Sequence, residues 1–163
     1  MILIIDGHNL IPHIPGVALT DPDDEEKLIQ IIQEYCRTKR ITAEIYFDGA
    51  PTGFAGKEQF GKIRAHFIRK GITADEAIMA HLKQLGKRAR NVRVVSSDRQ
   101  VQQAARASHA SVISSASFSK EWQKLVEETP EFDPRNRLLS EEEVADWERL
   151  FRRGHSSSKK HED

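Results

Sequence analysis

The feature that most constrains the fold is a regular alternation of short apolar segments with longer segments of helical periodicity. The chain opens on an unbroken apolar run that ends in an acid, residues 1–6, which is typical of a buried parallel strand. Strands that alternate with helices predict right-handed β-α-β crossovers and a mostly parallel sheet, so the expected fold class is α/β. The other predicted strands are residues 43–48, 64–69, 91–97 and 111–114.

Helices are predicted between these strands. Thr20 and Asp21 are expected to cap the first helix, whose buried stripe follows at helical spacing. Residues 73–76, Thr-Ala-Asp-Glu, match a capping box that opens the second, and Asp98 is expected to start the third. Residues 49–61, which hold four glycines and one proline, are predicted to be a mobile loop.

Length and composition indicate one globular domain with a C-terminal extension. The chain has 163 residues and one cysteine, Cys36, which is interpreted as a small core residue. No apolar run approaches the ~18 residues of a membrane span, so a soluble, cytoplasmic protein is expected. Residues 1–128 are predicted to form the domain, 129–153 an acidic helical extension and 154–163 a disordered tail. The two acidic helices are placed near residues 117–128 and 140–152.

Charge is balanced in total but not along the chain. The formal net charge is zero, which gives no bulk argument for a nucleic-acid partner. Residues 53–106, however, hold 12 basic residues against four acids, and residues 121–148 hold ten acids against three basic residues. The basic segment is either a set of solvated helix faces or the footprint of a phosphate backbone, and both interpretations stay open here.

Aspartates follow three of the predicted strands. Asp6, Asp48 and Asp98 each lie where such a strand ends, and the carboxyl ends of parallel strands meet at the edge of the sheet where ligands bind. Asp75 is expected to join them because it lies above the buried stripe of its helix. Glu76 points about 100° away from that stripe.

Each of these acids also has a structural interpretation. Asp98 is a good helix N-cap, Asp75 suits a first helical turn, and Asp48 and Asp6 suit turns. If the four acids lie together, turns and caps do not explain them, because like charges in a partly desolvated crevice repel one another and need a counter-ion. Mg²⁺, which prefers a few carboxylate oxygens and several waters, resolves that conflict and can promote attack on a phosphate. The combination of clustered acids and a basic segment predicts phosphodiester cleavage.

Neighbouring polar residues complete the candidate site. Asn9 is expected either to orient an acid or to hydrogen-bond the turn after the first strand. A role for His8 as ligand or proton shuttle is weighed against an incidental position in a loop, and the incidental position is favoured. The candidate contacts to a phosphate backbone are Lys62, Arg64, Arg99 and Ser97.

Three motifs together resemble the YacP-like branch of the NYN domains, which belong to the PIN-like nuclease superfamily. They are Ile-Leu-Ile-Ile-Asp6-Gly7-His8-Asn9-Leu, then Gly71-Ile-Thr73-Ala-Asp75, then Val-Val-Ser-Ser97-Asp98-Arg-Gln-Val-Gln. The resemblance covers about residues 1–118 and implies a PIN-like three-layer α/β/α sandwich around a mostly parallel sheet. The acidic C-terminal segment has no counterpart in that resemblance.

By position, the resemblance implies that Asp6, Asp75 and Asp98 hold Mg²⁺ or Mn²⁺, supported by Asn9 and, at the end of the second strand, by Asp48. The implied activity is that of a metal-dependent endoribonuclease acting on single-stranded RNA such as mRNA, in association with ribosomes. The alternative is a non-catalytic RNA- or ribosome-binding adaptor that keeps the fold. The sequence leaves the oligomeric state open.

Overall fold

The computed structural model describes residues 1–51 and 53–128. Its six strands are β1 (Ile2–Asp6), β2 (Thr42–Ala50), β3 (Gly56–Phe60), β4 (Ile63–Arg69), β5 (Val92–Val95) and β6 (Ser111–Ile113). Its helices are α1 (Gly7–Leu10), α2 (Asp24–Lys39), α3 (Ala74–Leu85), α4 (Arg99–Ala107) and α5 (Ser115–Glu128). Two short 3-10 helices, Ile11–His13 and Gly86–Asn91, follow α1 and α3.

All six strands belong to one sheet, in the order β3-β4-β2-β1-β5-β6. Every neighbouring pair is parallel except β3 and β4, which are antiparallel. In the central register Ile5 lies opposite Ile45 on one side and Val95 on the other. The carboxyl ends of β1, β2 and β5 therefore meet at one edge of the sheet, which we call the carboxyl edge.

Helices cover the sheet on both faces, because its apolar side chains form two separate clusters. The larger cluster joins the sheet to α1, α2 and α5, through residues such as Leu10, Leu28 and Phe118. The smaller cluster joins it to α3 and α4, through residues such as Ile78 and Val101. The outcome is a three-layer α/β/α arrangement, which confirms the predicted fold class.

The prediction of a loop over residues 49–61 is wrong for part of its length. β2 continues to Ala50, with an irregular register after Phe47, and Gly56–Phe60 forms the edge strand β3. Only Phe60 of that strand is buried, so its sequence lacks the apolar alternation that marks a strand. A tight turn then leads into β4, and Gly61 adopts φ +60°, a conformation that favours glycine.

The first predicted helix cap is also misplaced. α2 begins at Asp24 with Asp23 as its N-cap, and no side chain caps it. Asp21 instead closes the preceding turn, where its Oδ2 accepts a 3.1 Å hydrogen bond from the backbone N–H of Ala18. Thr73 is confirmed as the N-cap of α3, because the backbone N–H of Glu76 donates to Thr73 Oγ1 at 3.2 Å, which is one of the two bonds of the predicted capping box.

Some of the remaining predictions concern described residues, and others concern residues outside them. α5 matches the helix predicted near residues 117–128. The helix near 140–152 and the tail 154–163 lie outside the described residues. Cys36 is fully buried, as expected of a core residue, and burial raises the pKa of its thiol to about 12. Within the described part of the chain, no helix is long and apolar enough to cross a membrane.

Glu26, in the first turn of α2, is a buried carboxyl group whose Oε2 lacks a hydrogen-bond partner among the described residues. Burial, reinforced by the charges of Asp23, Glu25 and Asp24, raises its pKa from 4.5 to about 7. The Glu26 carboxyl ionises near pH 4.5 in the unfolded chain and near pH 7 in the folded protein. Between these two values a rise in pH therefore favours the unfolded state, and the free energy of unfolding falls.

We therefore expect Glu26→Gln to raise the free energy of unfolding by about 2–3 kcal/mol at pH 8. The gain should vanish below pH 4.5, where both states of the wild-type carboxyl are protonated. Urea denaturation at both pH values measures this. Glu127→Gln, on an exposed residue of α5, is the matched control and should change little. An equal effect of Glu26→Gln at both pH values would contradict the prediction.

Candidate active site at the carboxyl edge of the sheet

Asp6, the last residue of β1, lies at the carboxyl edge and is only 8% exposed. Its Oδ2 accepts a hydrogen bond of 3.3 Å from the Ser96 hydroxyl. Burial raises the pKa of Asp6 to about 6. The bond from Ser96 opposes this shift, and the negative charges of Asp75 and Asp48 add to it. The structure therefore brings Asp75 and Asp48 within electrostatic range of Asp6.

Asp98 lies between β5 and α4 and is the N-cap of α4. Its Oδ1 accepts a 3.1 Å hydrogen bond from the backbone N–H of Val101, which confirms the capping interpretation. The backbone N–H of Asp98 donates to Ser96 Oγ at 3.1 Å, and Ser96 in turn donates to Asp6. Ser96 thus connects the start of α4 to the end of β1.

Asp75 and Asp48 approach the same edge from α3 and β2. Asp75 is partly buried in the first turn of α3, whereas its neighbour Glu76 is exposed. Oδ2 of Asp48 lies 3.5 Å from the backbone N–H of Ala74, which donates to it at the start of α3. This placement agrees with the expectation that Asp75, and not Glu76, faces Asp6.

His8 forms a bridge that the sequence interpretation missed. Its Nδ1 donates to Asp48 Oδ1 and its Nε2 donates to Glu25 Oε2, each at 2.8 Å. Burial by itself lowers the pKa of His8, but these two hydrogen bonds outweigh it and raise the pKa to about 9. His8 is therefore a cation at neutral pH, and it joins α1 to β2 and α2. The incidental role favoured from the sequence is wrong.

Asn9 fixes three strand ends relative to one another. Its Oδ1 accepts hydrogen bonds from the backbone N–H of Ser97 at 2.9 Å and from the Ser115 hydroxyl at 2.6 Å. The backbone N–H of Ser115 also donates to Ser97 Oγ at 3.0 Å. Asn9 thus bonds across the sheet from β1 to the segments that follow β5 and β6, and it positions the residue before Asp98.

The predicted phosphate contacts do not all lie together. Lys62 is in the turn before β4, at the opposite edge of the sheet, where its carbonyl accepts from the backbone N–H of Ala43 at 3.1 Å. Because β4 is parallel to β2, the residue before it lies at the edge opposite the acids. Arg64 lies near the start of β4. Arg99 and Ser97 are exposed at the carboxyl edge, beside the acids.

The donor chemistry of this edge suits a hard divalent cation, because every candidate ligand is a carboxylate oxygen. Across residues 1–51 and 53–128, no three His, Cys, Asp or Glu side chains approach closely enough to hold a metal ion together. Mg²⁺ in proteins commonly binds through one or two carboxylates, several waters and substrate phosphates. The buried, raised-pKa carboxyl of Asp6 fits one of those positions.

A six-stranded, mostly parallel sheet between two helical layers, with acids at the carboxyl edge, defines a PIN-like α/β/α domain. The chain belongs to the YacP-like NYN domain family, whose model matches residues 3–152. NYN domains are PIN-like nuclease domains. The match continues past the 1–118 region of the sequence resemblance and into the C-terminal segment, whereas the predicted boundary at residue 128 stays a prediction.

Solved structures similar to this chain include the wild type and a mutant of one protein. The crystal structure of Rae1 (YacP) from Bacillus subtilis has a TM-score of 0.65 and 23% sequence identity, with 99% of this chain and 94% of that chain covered. The W164L mutant of the same protein has a TM-score of 0.62 and 24% identity, with coverage of 78% and 77%. At this identity the likeness shows the fold. No protein with a curated description matches the chain significantly.

Proposed function

We propose that this protein is a metal-dependent endoribonuclease. The observation that carries the proposal is Asp6, a buried carboxyl at the end of the central strand whose pKa is raised toward neutrality by burial and by Asp75 and Asp48. Only the Ser96 hydrogen bond and the charge of His8 oppose this shift, and a buried acid beside two others is typical of a functional site. Membership of a PIN-like nuclease family supports hydrolysis of nucleic acid as the use of this edge.

In this proposal Asp6, Asp75 and Asp98 form the acidic site for Mg²⁺ or Mn²⁺, with one or two of the carboxylates binding the ion directly and the others acting through its bound waters. Such an ion, when bound, activates water and neutralises charge at the scissile phosphate. Asp48 acts from outside the ligand set, because His8 and the backbone of α3 already hold its two oxygens. Cleavage by water is expected to leave a 5′-phosphate on the product.

The supporting residues fix these acids in place. Ser96 orients Asp6 and the start of α4 at once. Asn9 holds the residue before Asp98. Exposed Arg99 and Ser97 lie beside the acids, where they are proposed to contact the phosphate backbone. We further propose single-stranded RNA such as mRNA as the substrate and the ribosome as a partner, in the cytoplasm.

The direct test uses the purified full chain and a labelled single-stranded RNA. Endonucleolytic products should appear with Mn²⁺ or Mg²⁺ and disappear when EDTA removes the metal, and the products should carry 5′-phosphates. A protein that binds this RNA and never cuts it, with either metal and with ribosomes present, would instead be an RNA-binding adaptor on the same fold.

Asp75 and Glu76 are adjacent acids on α3, so substitutions at these two positions can be compared directly. We expect Asp75→Asn to lower the rate of RNA cleavage at least about a hundredfold, since losing about 3 kcal/mol of charge stabilisation has that effect. Glu76→Gln removes the same charge one residue away, where the side chain is exposed, and should leave the rate within about threefold of wild type. Single-turnover cleavage measures both. Equal losses in the two variants would remove Asp75 from the proposed site.

A further inference from the structure

A second polar site lies on the face of the sheet covered by α3 and α4. There a groove of about 360 Å³ runs between α3 and the strands β2, β3 and β4. α3 passes beside this part of the sheet, so polar side chains of β3 and β4 remain open to solvent. The side chains at the groove that matter for its chemistry are Glu44, Tyr46, Lys57, Arg64, His66 and His81.

The floor of the groove is a rigid hydrogen-bonded network. His66 Nε2 donates to Glu44 Oε1 at 2.7 Å, and the ring of His66 stacks on that of Tyr46 at 4.2 Å with an interplanar angle of 1°. The Tyr46 hydroxyl donates to Nδ1 of His81, which faces the floor from α3. Burial lowers the pKa of His81, so that it is neutral at pH 7. The network fixes the positions of Tyr46, His66 and His81 beneath the opening.

Cations surround the opening. Lys57 and Arg64 are exposed, and among the described residues neither forms an ion pair with an acid. Arg88, just after α3, is exposed as well and acts electrostatically on His81 together with Lys57. Glu44 opposes them, but its side chain is 16% exposed and is bonded to His66. Arg88 does not line the groove, so the cations at the opening are Lys57 and Arg64, and these two outnumber this one carboxylate.

We propose that this groove binds the phosphate groups of an RNA strand whose scissile bond lies at the carboxyl edge. The proposal rests on the proposed nuclease function and adds a second contact region for its substrate. Lys and Arg side chains around a groove are the usual means of holding a nucleic-acid backbone. Arg64 donates to Gln59 Oε1 at 3.3 Å but forms no ion pair among the described residues. Tyr46 and His66 are buried and bonded within the network, so they support the floor of the groove.

The groove is continuous with the proposed active site. Ala77, which lines the groove, lies two residues after Asp75 on α3, and His81 lies about 9 Å from Asp75 along the helix axis at 1.5 Å per residue. On the other side β4 rises from Arg64 to the exposed Arg69 at the carboxyl edge. An RNA strand that leaves the acids along α3 therefore reaches Lys57 and Arg64 at the far part of the groove.

A metal ion is not the ligand that this groove fits. Glu44, His66 and His81 are the residue types that bind zinc, but within the described chain they do not approach in a geometry that holds an ion. The carboxylate of Glu44 is instead satisfied by His66 Nε2–H, a bond that holds the pKa of Glu44 below its usual value although burial acts to raise it.

The test measures binding of an oligoribonucleotide of about 12 nucleotides, a length that single-strand binding surfaces cover. EDTA is present, so that the RNA stays intact. The double variant Lys57→Gln/Arg64→Gln should bind about tenfold more weakly than wild type. Its plot of log affinity against log salt should be shallower by about 1.4, because two phosphate contacts are lost. Lys83→Gln is the matched control, since Lys83 is exposed on α3 but does not line the groove.

Two further arms identify the ligand. Inorganic phosphate or a 5′-mononucleotide at millimolar concentration should fail to displace the RNA; full displacement by either would mean that the groove is a small-molecule phosphate site, and would overturn the proposal. Equal RNA affinity and salt slope in wild type and the double variant, both correctly folded by circular dichroism, would overturn it as well.

Cleavage of a dinucleotide separates this proposal from the proposed function. That substrate is too short to reach the groove, so the double variant should cut it at the wild-type rate while cutting the longer RNA more slowly. A wild-type protein that binds the oligoribonucleotide through the groove but cuts neither substrate would refute the nuclease and leave the groove intact. If the wild-type protein cuts both the dinucleotide and the longer RNA, and the double variant cuts each at the wild-type rate, the nuclease function is supported and the groove proposal is refuted.

Discussion

Asp6→Asn is expected to abolish RNA cleavage and, in the metal-free protein, to raise stability. The loss of cleavage should reach about a thousandfold, because a carboxylate proposed to hold the cation is replaced by a neutral amide at the most buried of the four acids. The gain in stability follows from the cost of ionising Asp6 where it is buried beside Asp75 and Asp48. The opposite signs of the two effects distinguish a functional acid from a structural one.

The pH dependence of that gain is specific. Asp6 has a pKa of about 6 in the folded protein and an ordinary value of 3.8, so the folded state holds its proton more tightly. Below pH 3.8 both states are protonated and Asp6→Asn should change nothing. The gain should grow between pH 3.8 and 6 and level off above pH 6, at about 2–3 kcal/mol. Thermal or urea unfolding in EDTA measures it.

Asp98 provides the comparison for this experiment. Because Asp98 caps α4, Asp98→Asn should keep the cap and the stability, whereas Asp98→Ala should lose about 1 kcal/mol. Both should lose cleavage if Asp98 holds the cation. A drop in stability on Asp6→Asn as large as that on Asp98→Ala would mean that Asp6 is a structural turn residue.

Gly7→Ala is expected to destabilise the protein by about 2–3 kcal/mol, the cost of overpacking a filled core. A Cβ on Gly7 would lie 2.4 Å from Cε1 and 2.6 Å from Cδ1 of Phe47, and 3.0 Å from the backbone oxygen of Tyr46. Phe47 is fully buried and stacks on Phe67 with ring centroids 5.6 Å apart, so it has no space to retreat into. Chemical denaturation measures the loss.

A double-mutant cycle tests whether Phe47 causes the loss. Phe47→Leu removes the ring atoms that the new Cβ would meet, so Gly7→Ala should cost at least 1 kcal/mol less in that background than in the wild type. Cleavage should also fall in Gly7→Ala alone, because Gly7 joins Asp6 to His8. Strictly additive losses of stability would show that the backbone, and not Phe47, resists the substitution.

The sequence is informative where one physical rule governs many residues. Apolar runs predict β1 and β2, since a strand that is buried on both faces shows no polar alternation. Parallel topology then brings Asp6 and Asp98 to one edge, although 92 positions of chain separate their numbers. Helical geometry distinguishes Asp75 from Glu76, because a step of about 100° places only one of them toward the sheet.

The sequence is less informative where an element depends on its partner. β3 is an edge strand that buries only Phe60, and its pairing with β4 is what makes it a strand. Lys62 precedes β4, which is parallel to β2, so it lies at the edge of the sheet opposite the acids, and its choice as a phosphate contact did not take that topology into account. Asp21 and Asp23 are equally good caps by residue type, and tertiary packing decides between them.

Contacts between single side chains are the hardest to foresee. His8 reaches Glu25 and Asp48, which lie 17 and 40 positions away, and no periodicity relates them. The groove cations Lys57 and Arg64 belong to a basic segment that the sequence reveals, but only the hairpin of β3 and β4 places them on one face.

The bonds of Asn9 to Ser97 and Ser115 have a consequence for synthesis on the ribosome. They join positions 88 and 106 apart, and the bond from Ser96 to Asp6 joins positions 90 apart. While residue 115 of a growing polypeptide is still inside the exit tunnel, the hydrogen bonds of Asn9 that align β1 with β5 and β6 are therefore incomplete. The carboxyl edge, and any activity that depends on it, is therefore expected to form only after residue 115 has emerged.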